Sequence, residues 1–200
     1  MMISMLARLL PAILLTFALA GCATVTNTVP ADRIASFKLE SVTVGFADGA
    51  RIWWGDGERA FAATKGIAAQ DAESVANTPE AQAYLRKAIS DRLRAALEKR
   101  LKGELTGSHP VRLVVRVKDL QISSAIQRII VGGAHHLKAD VDLVDARTGQ
   151  LILAFPEQTA IAMAGQGIGG TMLDQALLPD PLDRVINNFA DGYGNWLLQK

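Results

Sequence analysis

Apolar residues recur at every fourth position from Ala81 through Leu85, Ile89, Leu93 and Leu97 to Leu101, joined by Tyr84, Ala88 and Ala96. Arg86, Lys87, Asp91, Arg94, Lys99 and Arg100 fill much of the remainder. That spacing predicts an amphipathic helix with one packed face and one solvated face. Thr78 stands at its N-cap, Pro79 at the first helical position and Glu80 in the first turn, and Gly103 stops it after about Lys102. A second helix is predicted over residues 181–198, where Leu182, Val185, Ile186, Phe189, Tyr193, Trp196 and Leu197 share a side despite Gly192 and Gly194.

Elsewhere the period drops to two. Val111, Leu113, Val115 and Val117 alternate with Arg112, Arg116 and Lys118, and apolar character continues through Leu120 and Ile122. Leu137, Ala139, Val141 and Leu143 alternate with Lys138, Asp140 and Asp142. Both stretches predict strands with one wet face. The run 145–149 (DARTG) then turns the chain into residues 151–155, the pattern of a β-hairpin. A β-rich stretch covers residues 36–46 and closes at 47–49, a second short strand is expected at 51–54 before Gly55, Asp56 and Gly57, and residues 126–131 form another apolar run. Residues 66–77 are Ala-rich and ambiguous. Strand, helix, several strands and helix in that order predict an α+β fold, a compact layered domain with a largely antiparallel sheet and two main amphipathic helices.

The first 21 residues follow neither pattern. A short start carrying Arg8, their only charge, leads into an apolar run at 9–20 broken by Pro11 and Thr16, and then into small residues. This is a secretory signal layout. Twelve helical residues span roughly 18 Å, short of a hydrocarbon core of about 30 Å. Leu19, Ala20, Gly21 and Cys22 follow, and Cys22 is the only cysteine in the chain. The four residues resemble the lipobox of bacterial lipoproteins. The resemblance implies a diacylglyceryl group on the Cys22 sulfur, signal cleavage between Gly21 and Cys22, and usually acylation of the new amino group. Small Ala20 and Gly21 suit a protease cleft, and a thiolate is the nucleophile that such lipidation requires. Two or three acyl chains anchor a protein stably, so no further hydrophobic element is needed. Lipidation leaves no cysteine for a disulfide. Ala23, rather than Asp, after the cysteine favours the outer membrane over the inner by resemblance to enterobacterial sorting. Residues 22–35 read as a lipidated tether and 36–200 as one domain.

Composition narrows the role further. Half of the 200 residues are hydrophobic and 20% are charged, with 21 basic against 20 acidic groups. These values exclude disorder, collagen-like repeats and a highly charged nucleic-acid binder. Once residues 1–21 are removed the formal charge is zero, so no electrostatic footprint for DNA, RNA or anionic lipid remains.

Motifs for chemistry are weak. Residues 165–170 match G-x-G-x-x-G as a string, but Pro179, Asp180 and Pro181 and a helix follow instead of a parallel βαβ unit, so a glycine loop is expected. His135 and His136 are strand neighbours and point to opposite faces. His136 shares a face with Lys138, Asp140 and Asp142, but His136 and Asp140 are roughly 13 Å apart along a strand, which one metal ion does not span. Ser108, His109 and Pro110 sit in a loop before a strand without the remainder of a triad, and no G-x-S-x-G elbow is present. Neither catalytic residues nor a cofactor is assigned. Trp53 and Trp54 lie beside a turn; alternation sends one ring to the core and leaves the other as a candidate partner contact.

With these residues placed, the segment 110–151, containing VRLVVRV and the run RIIVGGAHHLKADVDLVDARTGQLI, resembles a loose group of small proteobacterial envelope lipoproteins without assigned function. The resemblance implies an address and an α+β fold and brings no catalytic residues. The reading that follows is a non-catalytic lipoprotein that faces the periplasm and serves as an interaction or accessory subunit for an envelope protein. The alternatives are a small-molecule or lipid-binding module auxiliary to lipid transport, and a hydrolase. A filled core with an exposed Trp53 or Trp54 patch favours the first, a deep apolar cavity the second, and convergent carboxylates in a cleft the third.

Overall fold

The computed structural model describes residues 25–123, 129–130, 133–165 and 167–200. Cys22 and Gly21 lie outside the described residues, as does most of the apolar run expected at 126–131. Chain order is α1 (Ala31–Ala35), β1 (Phe37–Trp54), α2 (Gly55–Thr64), a 3-10 turn (Ala69–Asp71), α3 (Glu73–Ala76), α4 (Pro79–Leu101), β2 (His109–Ile122), β3 (Ala134–Asp145), β4 (Leu151–Met163), α5 (Gly167–Leu177) and α6 (Pro181–Leu198). The sheet order is β1-β2-β3-β4. β1 and β2 are parallel, while the β2–β3 and β3–β4 pairs are antiparallel, so the fold is α+β with a mostly antiparallel sheet.

The two long helices form where the apolar period places them. In α4 the Thr78 side chain accepts from the Ala81 N–H and Pro79 occupies the first turn, and Ala81, Leu85, Ile89, Leu93, Leu97 and Leu101 are all fully buried. In α6 Asp180 accepts from the Leu182 N–H, again ahead of a proline. Each cap satisfies one of the N–H groups that a helix start leaves without a carbonyl. Both helices lie on one face of the sheet, where Leu93, Leu97, Phe189 and Tyr193 meet Leu113, Val115, Val141 and Leu143 in one core. The side chains of this layer are excluded from solvent on both sides of the interface.

The other sheet face is a ladder of ion pairs. Arg116 reaches Asp142 at 2.9 Å, Lys118 reaches Asp140 at 3.0 Å, and Lys138 lies 3.6 Å from Glu157. Burial opposes ionisation of Asp140, but the Glu157 N–H, Lys118 and Arg116 outweigh it and hold the carboxyl below its ordinary value. This is the wet strand face that the alternation predicts.

Three local expectations are corrected. Phe37–Trp54 form one strand rather than two; its pairing with β2 slips between Phe46 and Arg51, which accommodates the 47–49 turn signal as an irregularity. Gly55, Asp56 and Gly57 do not make an open turn but start α2, because Gly57 lets the chain coil against the Trp54 ring. Residues 25–35 are not a free tether. The Asn27 amide donates to the Trp196 and Leu197 carbonyls at 3.2 and 2.9 Å, closing the last turn of α6, where main-chain acceptors would otherwise be unpaired. Trp196 Nε1 donates to the Val25 carbonyl, Gln199 donates to that of Val29, and Val29 and Ile34 are buried.

Helix α6 runs antiparallel to β4, with Arg184 donating to the Met163 carbonyl at 3.2 Å, Asn188 donating to that of Ile161 at 2.9 Å, and Trp196 stacked on Phe155. The molecule therefore has two poles. The N-terminal segment and the end of α6 occupy one. The ends of β1 and β4, with α2, α3 and α5, occupy the other, about 27 Å away along the 18-residue α6 at ~1.5 Å per residue.

A Cβ at Gly57 would lie inside the van der Waals envelope of both the Trp54 ring and Leu85. Gly57→Ala is expected to destabilise the domain by about 1–3 kcal/mol, the usual cost of overpacking a tight core. Urea denaturation checks this, and an unchanged midpoint contradicts the packing described.

Candidate functional site

At the pole away from the N-terminal segment, β1 ends in two neighbouring tryptophans with opposite fates. Trp54 is 5% exposed, closed by Gly57 on α2 and by the Arg92 guanidinium 5.3 Å from its ring centre. Trp53, one residue earlier on the strand, faces outward and is 47% exposed. Strand alternation produces this split, as the sequence reading expects.

Trp53 lines a cleft of about 610 Å³. Helix α2 supplies Glu58 and Arg59, and the 3-10 turn with α3 and the residue after it supplies Gln70, Glu73 and Asn77. Burial pushes the Glu58 carboxyl above its ordinary range; Arg59 pulls it down, the Glu73 carboxylate adds to the rise, and a backbone hydrogen bond from Trp54 lowers it. Arg59 is ion-paired with Asp56. Two carboxylates therefore converge in a cleft beside an exposed aromatic ring, an arrangement that neither the Ala-rich composition of 66–77 nor any local motif signals. The nearest hint is the pair of tryptophans.

The remaining sequence candidates are placed as follows. His135 and His136 point to opposite faces. His135 is buried and accepts at Nδ1 from the Ser123 N–H at 3.2 Å, whereas His136 lies on the ion-pair ladder 3.5 Å from Asp119. His109 opens β2, 2.9 Å from Asp145 and with its ring against Phe37. The described residues contain no group of three or more His, Cys, Asp or Glu side chains suited to a metal ion. On the basic face of α4, Lys87 and Arg94 pair with Asp91, Arg100 pairs with Glu104 and Asp191, and Arg86 lies over the Phe46 ring. Gly194 is explained here too, since Arg100 packs where a side chain would stand, with Nε 2.8 Å from an added Cβ.

Where a glycine loop is expected at 165–170, the described residues Gly167 to Gly170 are helical. Gly167 takes a positive φ of 68° and starts α5, and Thr171 Oγ1 donates to the Gly165 carbonyl at 3.2 Å. Helix α5 turns Asp174 inward to Arg184 at 2.9 Å and leaves Ile168, Met172, Leu173 and Leu177 outward. Leu173, Leu177 and Leu178 join Met163 of β4 around a shallow depression of about 380 Å³. These outward apolar side chains are between 49% and 74% exposed. Among the described residues, no helix is long and apolar enough to cross a membrane.

No protein-family model matches this chain, and no curated protein matches it. Among solved structures, one from Caulobacter crescentus CB15, described as a "putative lipoprotein", is similar at 15% identity with a TM-score of 0.36, covering 56% of this chain and 81% of its own. A likeness this distant transfers neither site nor role.

A raised Glu58 pKa has a definite sign for stability. Its contribution to folding is complete below the ordinary value of 4.5 and is lost as pH rises through the higher folded value. Glu58→Gln, which mimics the protonated acid, is expected to melt with the parent below pH 4.5 and above it at pH 7. Thermal melts at the two pH values check this; a parent as stable as the variant at pH 7 contradicts the burial described.

Proposed function

We propose that this chain is a membrane-anchored lipoprotein without catalytic activity, lipidated at Cys22, facing the periplasm and acting as an interaction or accessory subunit for an envelope protein. Its seat is the outer membrane, on the residue Ala23 that follows the cysteine. The apolar surface on α5 and the end of β4 carries the interaction reading. Soluble monomers rarely leave contiguous apolar patches of this kind open, and such patches mark sites that a protein or membrane covers. The surface lies at the pole opposite the N-terminal segment, so it faces a partner standing away from the anchor.

The short reach between anchor and fold supports the same reading. Residue 25 is already bonded to Trp196, so only three chain steps separate it from Cys22, about 11 Å at full extension. A domain held this closely samples a thin layer above the bilayer, which raises its local concentration near membrane-bound partners and makes weak contacts sufficient. A lipid-carrying module would need an apolar cavity between sheet and helices. Leu93, Leu97, Leu113, Val115, Leu143 and Phe189 fill that layer without exposure, which favours the interaction reading over it. Glu58 and Glu73 in the Trp53 cleft make a hydrolase the second reading, because that alternative rests on paired carboxylates.

Two experiments test the proposal separately. Cys22→Ser is expected to abolish palmitate labelling and release the protein from membranes; undiminished labelling contradicts lipidation at this residue. A photo-crosslinking side chain at Met172, in native membranes, is expected to give a discrete adduct with an envelope protein that Leu177→Asp removes. An adduct of equal yield in the Leu177→Asp protein contradicts the role of the patch.

A further inference from the structure

The cleft beside Trp53 stands apart from the apolar surface on α5 in its chemistry. Its lining is amphipathic: half-exposed Trp53 with Ile52, Ala69, Ala72 and Ala76 on the apolar side, and Glu58, Arg59, Gln70, Glu73 and Asn77 as the polar set. Its volume of about 610 Å³ falls within the range of small-ligand sites, roughly 300–1,000 Å³.

The lining restricts what can enter. An anion meets Glu73 and Glu58, and a cation would have to compete with Arg59, which already faces Asp56 and Glu58. A wholly apolar ligand would strip water from two carboxylates, a guanidinium and two amides without replacing their hydrogen bonds, at a cost of several kcal/mol. What remains is a neutral ligand with many groups that both donate and accept, since the Gln70 and Asn77 amides do both, Arg59 donates and Glu73 accepts. The same ligand must also offer a flat, weakly polar face to the indole. A pyranose ring meets both conditions, with axial C–H groups on a face and hydroxyls around the rim.

We infer that the cleft formed by Trp53, α2 and α3 is a saccharide-binding site, in which the sugar ring stacks on the Trp53 indole and its hydroxyls bond to Glu58, Arg59, Gln70, Glu73 and Asn77. The partial burial of Glu58 agrees with this, because it holds the carboxyl at the cleft wall as a hydrogen-bond acceptor. The position agrees too: the cleft opens at the pole remote from the N-terminal segment, where an extended glycan has access. This inference stands on the cleft alone and does not depend on lipidation at Cys22 or on the α5 surface.

The test uses the full chain, purified in a detergent without a sugar headgroup and titrated calorimetrically with cellotriose, maltotriose and triacetylchitotriose, with glycerol as a polyol lacking the ring. At least one trisaccharide is expected to bind measurably where glycerol does not. Trp53→Ala is expected to weaken that binding at least about tenfold, with Trp53→Phe retaining most of it, since an aromatic face survives. Glu73→Gln is expected to weaken it about tenfold, the loss of one hydrogen bond to a charged acceptor. Trp53 and Glu73 are surface residues, and a melt for each variant separates lost binding from lost folding. Failure of all three sugars to exceed glycerol overturns the inference, as does parental affinity in both Trp53→Ala and Glu73→Gln.

Discussion

The parallel pairing of β1 with β2 is the constraint from which the remaining architecture follows. Parallel neighbours cannot be joined by a tight turn, so the chain must travel back along the sheet before β2 begins. Helix α4 makes that return and, in doing so, covers one face of β1 and β2. Half the sheet face is then dry, and the antiparallel β3 and β4 extend it beyond the reach of α4. Helix α6 covers the extension, running beside α4 in the same direction, with Arg92 bridging to Asp183 near its start and Arg100 to Asp191 and Asn195 further along. With both helices on one face, the opposite face is left to solvent and carries the ion-pair ladder.

That arrangement also sorts the ends of the molecule. The N-terminal segment is used as a cap: Asn27 supplies the donors that the last turn of α6 lacks, and Trp196 and Gln199 bind the segment in return. The connections from β1 to α4 and from β4 to α6, which carry the Trp53 cleft and the α5 surface, lie at the other end. The Trp53 cleft and the α5 surface share a pole because both are built from the linkers that surround the two helix starts, on opposite edges of the sheet.

Much of this was legible in the sequence wherever burial is one-sided and periodic. The line from Ala81 to Leu101, the cap residues Thr78 and Asp180, and the alternation on β2 and β3 all report a single interface, and the hairpin at 145–149 is a local turn. The unreadable parts depend on contacts between distant residues. Nothing near Asn27 announces that its amide will meet carbonyls 169 and 170 positions away. Gly57 carries a turn signal by composition, but its role is to admit the Trp54 ring, a fact of packing. The direction of β1 relative to β2 cannot be taken from alternation, which is the same for both senses. The cleft was invisible for a similar reason: Trp53, Glu58 and Glu73 are brought to one opening by an Ala-rich stretch with no strong period. For Trp53 and Trp54, alternation alone was enough to separate the buried ring from the exposed one.

The β4 edge bears on how copies of this protein coexist. An outermost strand offers unpaired main-chain groups to which another chain's strand can add, and repeated addition makes fibres. Here Asn188 and Arg184 occupy the outward carbonyls of Ile161 and Met163 from above. Open-ended polymerisation of identical sheets needs two receptive borders on every copy, and side chains seated on the last stretch of β4 shorten one of them. Two copies that meet along this stretch of border thus find those acceptors taken and have less to zip together.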